Sequence, residues 1–220
     1  DDQIDKNDSS KTNEELKQDF EFAHLHAYTQ FSILQSTSRI SDLLKQCIDF
    51  SHDAIAITDK SNLMGAFHFI KTLKNYNENL KEGQKYIKPI VGCEFNVCEN
   101  HLDKSNRDNG YQMVFLAKNK NGFRNLSKLS SIANIEGFYY VPRIDKEILK
   151  TYSEDLIVLS GGLNGEISSK ILNEGEEKAE ECLKWWIDNF KDDFYLEIQN
   201  HKQENEDYII PILKDFSIKC

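Results

Sequence analysis

No apolar run in the 220 residues comes near the roughly 20 that a bilayer-crossing helix requires. Nor does the start of the chain read as a secretory leader. A cytoplasmic protein with no membrane partner is expected. Positive charge is scarce: 27 Lys and Arg stand against 37 Asp and Glu, for a net charge of −10. That balance argues against a chain that wraps a nucleic-acid backbone by itself. Paired cysteines are missing too. The five are scattered, Cys93 and Cys98 lack zinc-ribbon spacing, and no second pair exists. Reduced, buried thiols are the plain reading. No internal repeat is visible.

What is present suits one α/β unit. With 39% hydrophobic and 29% charged residues, the chain can bury one sizeable core, or most of an α/β barrel. Residues 1–19 hold seven acids and three lysines but few apolar side chains. Such a stretch cannot offset its ordering entropy, so residues 1–20 read as a flexible polar linker or tail and 21–220 as the folded domain. Strands are expected at residues 21–27, 54–58, 87–97, 111–117, 156–160 and 194–199. Helices are expected at 38–50, 62–74, 122–133, 165–172, 176–190 and 208–218, the last kinked or started at Pro211. Residues 75–86 read as a loop and 99–110 as a charged excursion. Strand-then-helix order predicts a largely parallel sheet with crossover helices. A further strand is expected after Cys220, as if the chain were a piece of something longer.

The chemistry-bearing residues fall at strand ends. His24-Leu25-His26 places two imidazoles at i and i+2, on one face of an extended segment. The apolar runs 54–58 and 87–93 end at Asp59 and Glu94. Buried strands that deliver polar groups at their C-terminal ends are the layout of a (β/α) barrel site. Gly65, Gly92 and Gly161 read as close-packing positions near it.

Several motifs, in order, then carry a resemblance. They are Ala23-His24-Leu25-His26-Ala27-Tyr28, the run from Ala54 through Asp59-Lys60 to Gly65-Ala66, and Lys88-Pro89-Ile90-Val91-Gly92-Cys93-Glu94. Gly137-Phe138-Tyr139-Tyr140-Val141-Pro142-Arg143-Ile144-Asp145, Ile157-Val158-Leu159-Ser160-Gly161 and the run Phe194 to His201 narrow it. Together they resemble the PHP domain (polymerase and histidinol phosphatase), in the form found at the N-terminus of bacterial DNA polymerase III alpha subunits. The resemblance implies a distorted (β/α)7 barrel lacking its last strand here. In metal-competent members, His, Asp, Glu and Cys ligands at the strand ends hold a divalent metal cluster that hydrolyses phosphoesters, in some polymerases as a 3′–5′ exonuclease.

Set on that pattern, the ligand positions have changed. His26 is the first member of the ligand His-x-His pair, with His24 just before it, and Tyr28 stands at the second. Gln35, Lys60, Gln112 and Gly162 replace an acid, two histidines and a Cys or His. His26 and Glu94 are the metal ligands that survive, with Asp59 and His24 nearby, so these four form the expected vestigial pocket. A lysine ammonium offers no lone pair, and a unit charge 4 Å from a cation costs about 4 kcal/mol even at an effective dielectric of roughly 20. Lys60 is expected to pair with Asp59 or Glu94, exchanging a metal for a salt bridge. Arg143 reads as a phosphate-binding group or a partner of Asp145, and His201 as a hydrogen-bonding neighbour of the pocket. Trp186 fits the core stripe of its helix and Trp185 does not.

The resemblance therefore implies a structural and docking module in DNA replication, without cofactor or catalysis of its own. Its partners would be the other polymerase domains of one polypeptide and a proofreading exonuclease, as a subunit or a fused domain. DNA would be met through the whole polymerase and not by this acidic domain. The parent protein would be a DNA-directed DNA polymerase, a nucleotidyltransferase. The competing expectation is a metal-dependent phosphoesterase holding Zn, Mn or Mg at a residual site.

Overall fold

Apolar residues recurring at three and four draw out the helices. In the computed structural model, which describes residues 22–219, α1 (Ile40–Asp49) buries Ile40 and Cys47. It is followed by β1 (Ala54–Ile57) and α2 (Ala66–Glu78), which buries Phe69 and Leu73. β2 (Lys88–Cys98) and β3 (Tyr111–Ala117) lead to α3 (Lys120–Ile135). The Asn119 side chain starts that helix by accepting from the backbone N–H groups of Asn121 and Gly122, which satisfies two otherwise orphaned donors. β4 (Arg143–Asp145), α4 (Lys146–Tyr152) and β5 (Leu156–Leu159) come next. α5 (Glu166–Asn173), α6 (Glu176–Phe190), the short β6 (Phe194–Tyr195) and α7 (Glu206–Lys219) complete the described chain.

One mixed sheet runs β1-β2-β3-β5-β6, with β4 added to the far end of β2. β1/β2, β2/β4 and β5/β6 are parallel, whereas β3 is antiparallel to β2 and β5. Side chains alternate across this sheet. One face carries Phe95, Met113, Phe115 and Val158 into the larger core, against α3, α5, α6 and α7 with Trp186 among them. Ile55 and Ile57 point the same way, into a second core under α1 and α2. The other face carries Ala56, Val114, Leu116 and Leu159, with Ile90 and Ile157 beside them. It floors an open cavity of about 1010 Å³ between residues 22–26 and residues 195–201. Glu94 sits on this second face, opposite Val114 in the ladder.

Several expectations are corrected. The sheet is mixed, because the 99–110 excursion returns the chain beside β2 as an antiparallel partner, which needs no crossover helix. Within 22–27 pairing shrinks to one bridge, His24 to Ile55, because the backbone bends at Leu25 and His26. Only Phe194 and Tyr195 of 194–199 form a strand. The second helix begins at Ala66, since residues 60–65 turn through a left-handed Ser61 (φ 54). Pro211 lies inside α7 and does not start it. β4 and α4 were not anticipated. Cys47, Cys93, Cys98 and Cys182 are free and buried. Trp186 is fully buried and Trp185 half-buried under the Lys146 ammonium. The linker expected at 1–20 lies outside the described residues.

Candidate functional site

The pocket forms where the end of β1, the middle of β2, the segment before α1 and the segment after β6 converge. His26 is its centre. Its Nδ1 lies 2.8 Å from Glu197 Oε1 and its Nε2 lies 3.1 Å from Glu94 Oε2. The Tyr28 hydroxyl donates to the same Glu94 oxygen at 2.5 Å. The second carboxylate oxygen, Glu94 Oε1, makes no hydrogen bond with a described residue; the Lys60 ammonium faces it at 3.5 Å. Glu197 is positioned by its own N–H, which donates to Ser160 Oγ at 2.8 Å, and by the Gln199 amide, which donates to Glu197 Oε1 at 2.7 Å. Gln199 also fills the space beside Gly162, where a Cβ would lie 2.1 Å from Gln199 Oε1. Around these groups is a polar cavity of about 270 Å³, also lined by Gln112, Asn164 and His201.

Charge in this cluster is matched. Burial opposes protonation of His26, but the hydrogen bonds to Glu197 and Glu94 outweigh it and raise its pKa to about 9. At neutral pH both ring nitrogens are then N–H donors, each aimed at a carboxylate. Burial works to raise the Glu94 pKa, yet hydrogen bonds from His26 and Tyr28, with the Lys60 charge, hold it below the usual value. Burial pushes the Tyr28 hydroxyl up, and the Glu94 charge adds to this. Two cations and two carboxylates thus face one another. A protonated His26 offers no lone pair, while Glu94 Oε1 and Glu197 Oε2 keep acceptor capacity. Among the described residues no group of three or more His, Cys, Asp or Glu is disposed to hold an ion.

The remaining expected residues divide. Asp59 is buried beside the pocket but fully engaged elsewhere: it accepts from Thr29 N, Thr29 Oγ1 and Ser32 Oγ at 2.7, 2.7 and 2.6 Å. It therefore ties down the loop before α1, and Lys60 pairs with Glu94 instead. His24 is not brought to His26. The bend at residues 25–26 sends its ring to Phe22 and His52, at centroid distances of 4.9 and 5.6 Å. Gln35 is exposed on the loop before α1. His201 is exposed at the pocket rim, its N–H donating to Glu206 Oε2 at 2.6 Å. Arg143 is buried away from the pocket and spends its donors on four carbonyls, those of Gly137, Asp108, His101 and Asp103. Its neighbour Asp145 pairs with His101 at 2.5 Å. Gly65 and Gly92 are close-packing positions, with Cβ atoms that would meet Phe31 at 3.0 Å and Phe115 O at 2.6 Å. Glu197 was not singled out from the sequence, since the apolar run before it is short and forms only a two-residue strand.

Comparison with known proteins gives a consistent picture. The PHP domain description matches residues 24–201. The DNA polymerase III subunit alpha of Chlamydia muridarum is 41% identical over 186 residues, covering 83% of this chain and 14% of that protein. The proteins of the same name from Thermus aquaticus and Borreliella burgdorferi are 40% and 38% identical, covering 90% and 89% of the chain. The chain spans 14% to 17% of the length of these relatives.

Proposed function

This chain belongs to the PHP domain family, and on that premise we propose that it is the PHP domain of a DNA polymerase III alpha subunit whose metal pocket has been refilled by side chains. The observation that carries the reading is the Lys60–Glu94 pair, with His26 clamped between Glu94 and Glu197. Positive side chains stand where a metal-competent relative would hold cations. The polar network then supports the fold without metal. In this reading the open cavity beneath is the interior of a distorted seven-stranded barrel. The domain's role is to support the polymerase domains of one polypeptide and to offer a docking surface to a proofreading exonuclease, with residues 1–20 as a linker or tail. No reaction step is assigned to it, and it works in the cytoplasm with the replication machinery.

A specific observation keeps the phosphoesterase reading in play. Glu94 Oε1 and Glu197 Oε2 are buried with no hydrogen-bond partner among the described residues, so carboxylate oxygen is still open to a cation. Metal analysis decides between the two readings. After incubation with manganese or zinc and gel filtration, the chain is expected to carry far less than one ion per molecule, and chelation is expected to leave its melting temperature unchanged. Stoichiometric metal that is lost in Glu94→Gln, together with chelator-sensitive nuclease activity, would establish the phosphoesterase instead.

A further inference from the structure

A net charge of −10 conceals a segregation of charge. No Asp or Glu occurs from residue 60 to 77, and none from 109 to 135. The first stretch holds Lys60, His68, Lys71 and Lys74, and the second holds Lys118, Lys120, Arg124 and Lys128. The fold sets these stretches side by side. α2 and α3 both pack on β2, one descending from the pocket end and the other climbing back to it. The turn that leads into α2 is tied to α3 at Ser61, whose carbonyl accepts from Ser130 Oγ at 3.0 Å and from Asn134 Nδ2 at 2.9 Å.

Burial decides which sides face outward. α3 buries Leu126, Leu129 and Ala133, so Lys120, Arg124 and Lys128, four residues apart, form one exposed row with about 6 Å between successive members. α2 buries Phe69 and Leu73 and turns His68, Lys71 and Lys74 out. Lys60 and Lys118 are committed to Glu94 and Asp193. Lys74 has Glu78 at 3.6 Å. Lys71, Lys120, Arg124 and Lys128 make no ion pair with a described residue. Acids border the face: Glu78, Glu136, Asp155, which accepts from Asn121 at the foot of α3, and on the α4 side Glu147 and Glu154, whose carbonyl accepts from Asn125. Two rings stand among these cations, Phe67 at 80% exposure and Phe123 at 37%.

We propose that the outer face of α2 and α3 binds the phosphate backbone of nucleic acid. A regular row of unpaired cations suits a regularly spaced polyanion, and the exposed rings give unstacked bases a surface to lie on. A strand on this face feels charge within roughly a Debye length, about 10 Å at 0.1 M salt, and not the total of the chain. The face thus revises the expectation, drawn from net charge, that this domain avoids DNA. It stands whether or not the pocket holds metal.

The test is anisotropy of a fluorescein-labelled oligothymidylate, and of a labelled duplex, titrated with the full chain across about 50–200 mM salt. The logarithm of the affinity is expected to fall steeply with the logarithm of salt. The variant K71A/R124A/K128A is expected to weaken binding at least tenfold and to flatten the single-strand slope by about 2, at roughly 0.7 per lost phosphate contact. K178A/K184A/K214A, which removes as many charges from α6 and α7, is expected to change neither. Circular dichroism confirms that both variants fold. The stronger-binding oligonucleotide identifies the strand form. An unchanged slope in the α2/α3 variant overturns the proposal. So does displacement by polyglutamate as effective, charge for charge, as by oligonucleotide, since the face would then suit acidic protein equally well.

Discussion

His26 shows how one side chain can hold a pocket closed. Its imidazolium bridges Glu94 and Glu197, so removing the proton would set two carboxylates against a neutral ring with a single donor. This makes stability depend on pH with a definite sign. A pKa raised from about 6.5 in the unfolded chain to about 9 in the fold means that folding favours the proton. The stabilisation is complete below the unfolded value and is lost as pH climbs through the folded one. Urea unfolding of the chain should therefore show stability declining from about pH 7 to about pH 10. His26→Asn should be less stable at neutral pH and should flatten that decline. An equal decline in the variant would place the alkaline loss elsewhere. Tyr28 has a pKa raised further, so it does not set this window. At this scale Glu94 could be picked out because it ends an apolar run and His26 by its spacing from His24, whereas Lys60 stands out only against the family pattern. Glu197 could not, because its run ends in a two-residue strand and lacks a sustained alternation.

Elements were legible in proportion to their periodicity. α6 spans the expected 176–190 because Ala179, Leu183, Trp186 and Phe190 mark one stripe. β4 has three residues, too few for any period, and its existence depends on a contact that sequence spacing does not reveal. Arg143 at its start reaches back to the 99–110 excursion and donates to the carbonyls of His101, Asp103 and Asp108, and also to Gly137 O. One buried guanidinium thereby holds the loop that lets β3 return antiparallel to β2. His101 adds to the hold, since its N–H and Nδ1 both meet Asp145 Oδ2. Lysine cannot reproduce this arrangement, because a single ammonium lacks the planar fork of donors. Arg143→Lys is expected to lose about 2–4 kcal/mol, as buried carbonyls lose their donors. Hydrogen exchange is expected to quicken across residues 99–110 while α6 stays protected. Uniform quickening over the whole chain would mean that Arg143 supports the global core and not this loop.

Across the whole molecule the sheet has two faces in different states. One is covered by helices, and the other floors the cavity of about 1010 Å³ with Ile90, Leu116, Ile157 and Leu159. Its rims carry strand edges: residue 24 bridges only to β1, and β6 pairs only with β5 among the described residues. An open apolar trough between two unpaired edges invites association, and proteins ordinarily cover such surfaces. If further wall segments of the same polypeptide close it into a barrel, apolar dye should report the difference. Anilinonaphthalene sulfonate is expected to fluoresce strongly with the chain ending at residue 220. It should respond little to this region in a polypeptide that continues past residue 220 to the length of the relatives. A bulky polar change on the floor, Leu159→Gln, separates trough binding from dye bound elsewhere, because it should dim the signal only in the shorter chain. Equal dye binding by both chains, equally reduced by that substitution, would mean that the trough stays open in the longer protein and that its wall does not close into a barrel.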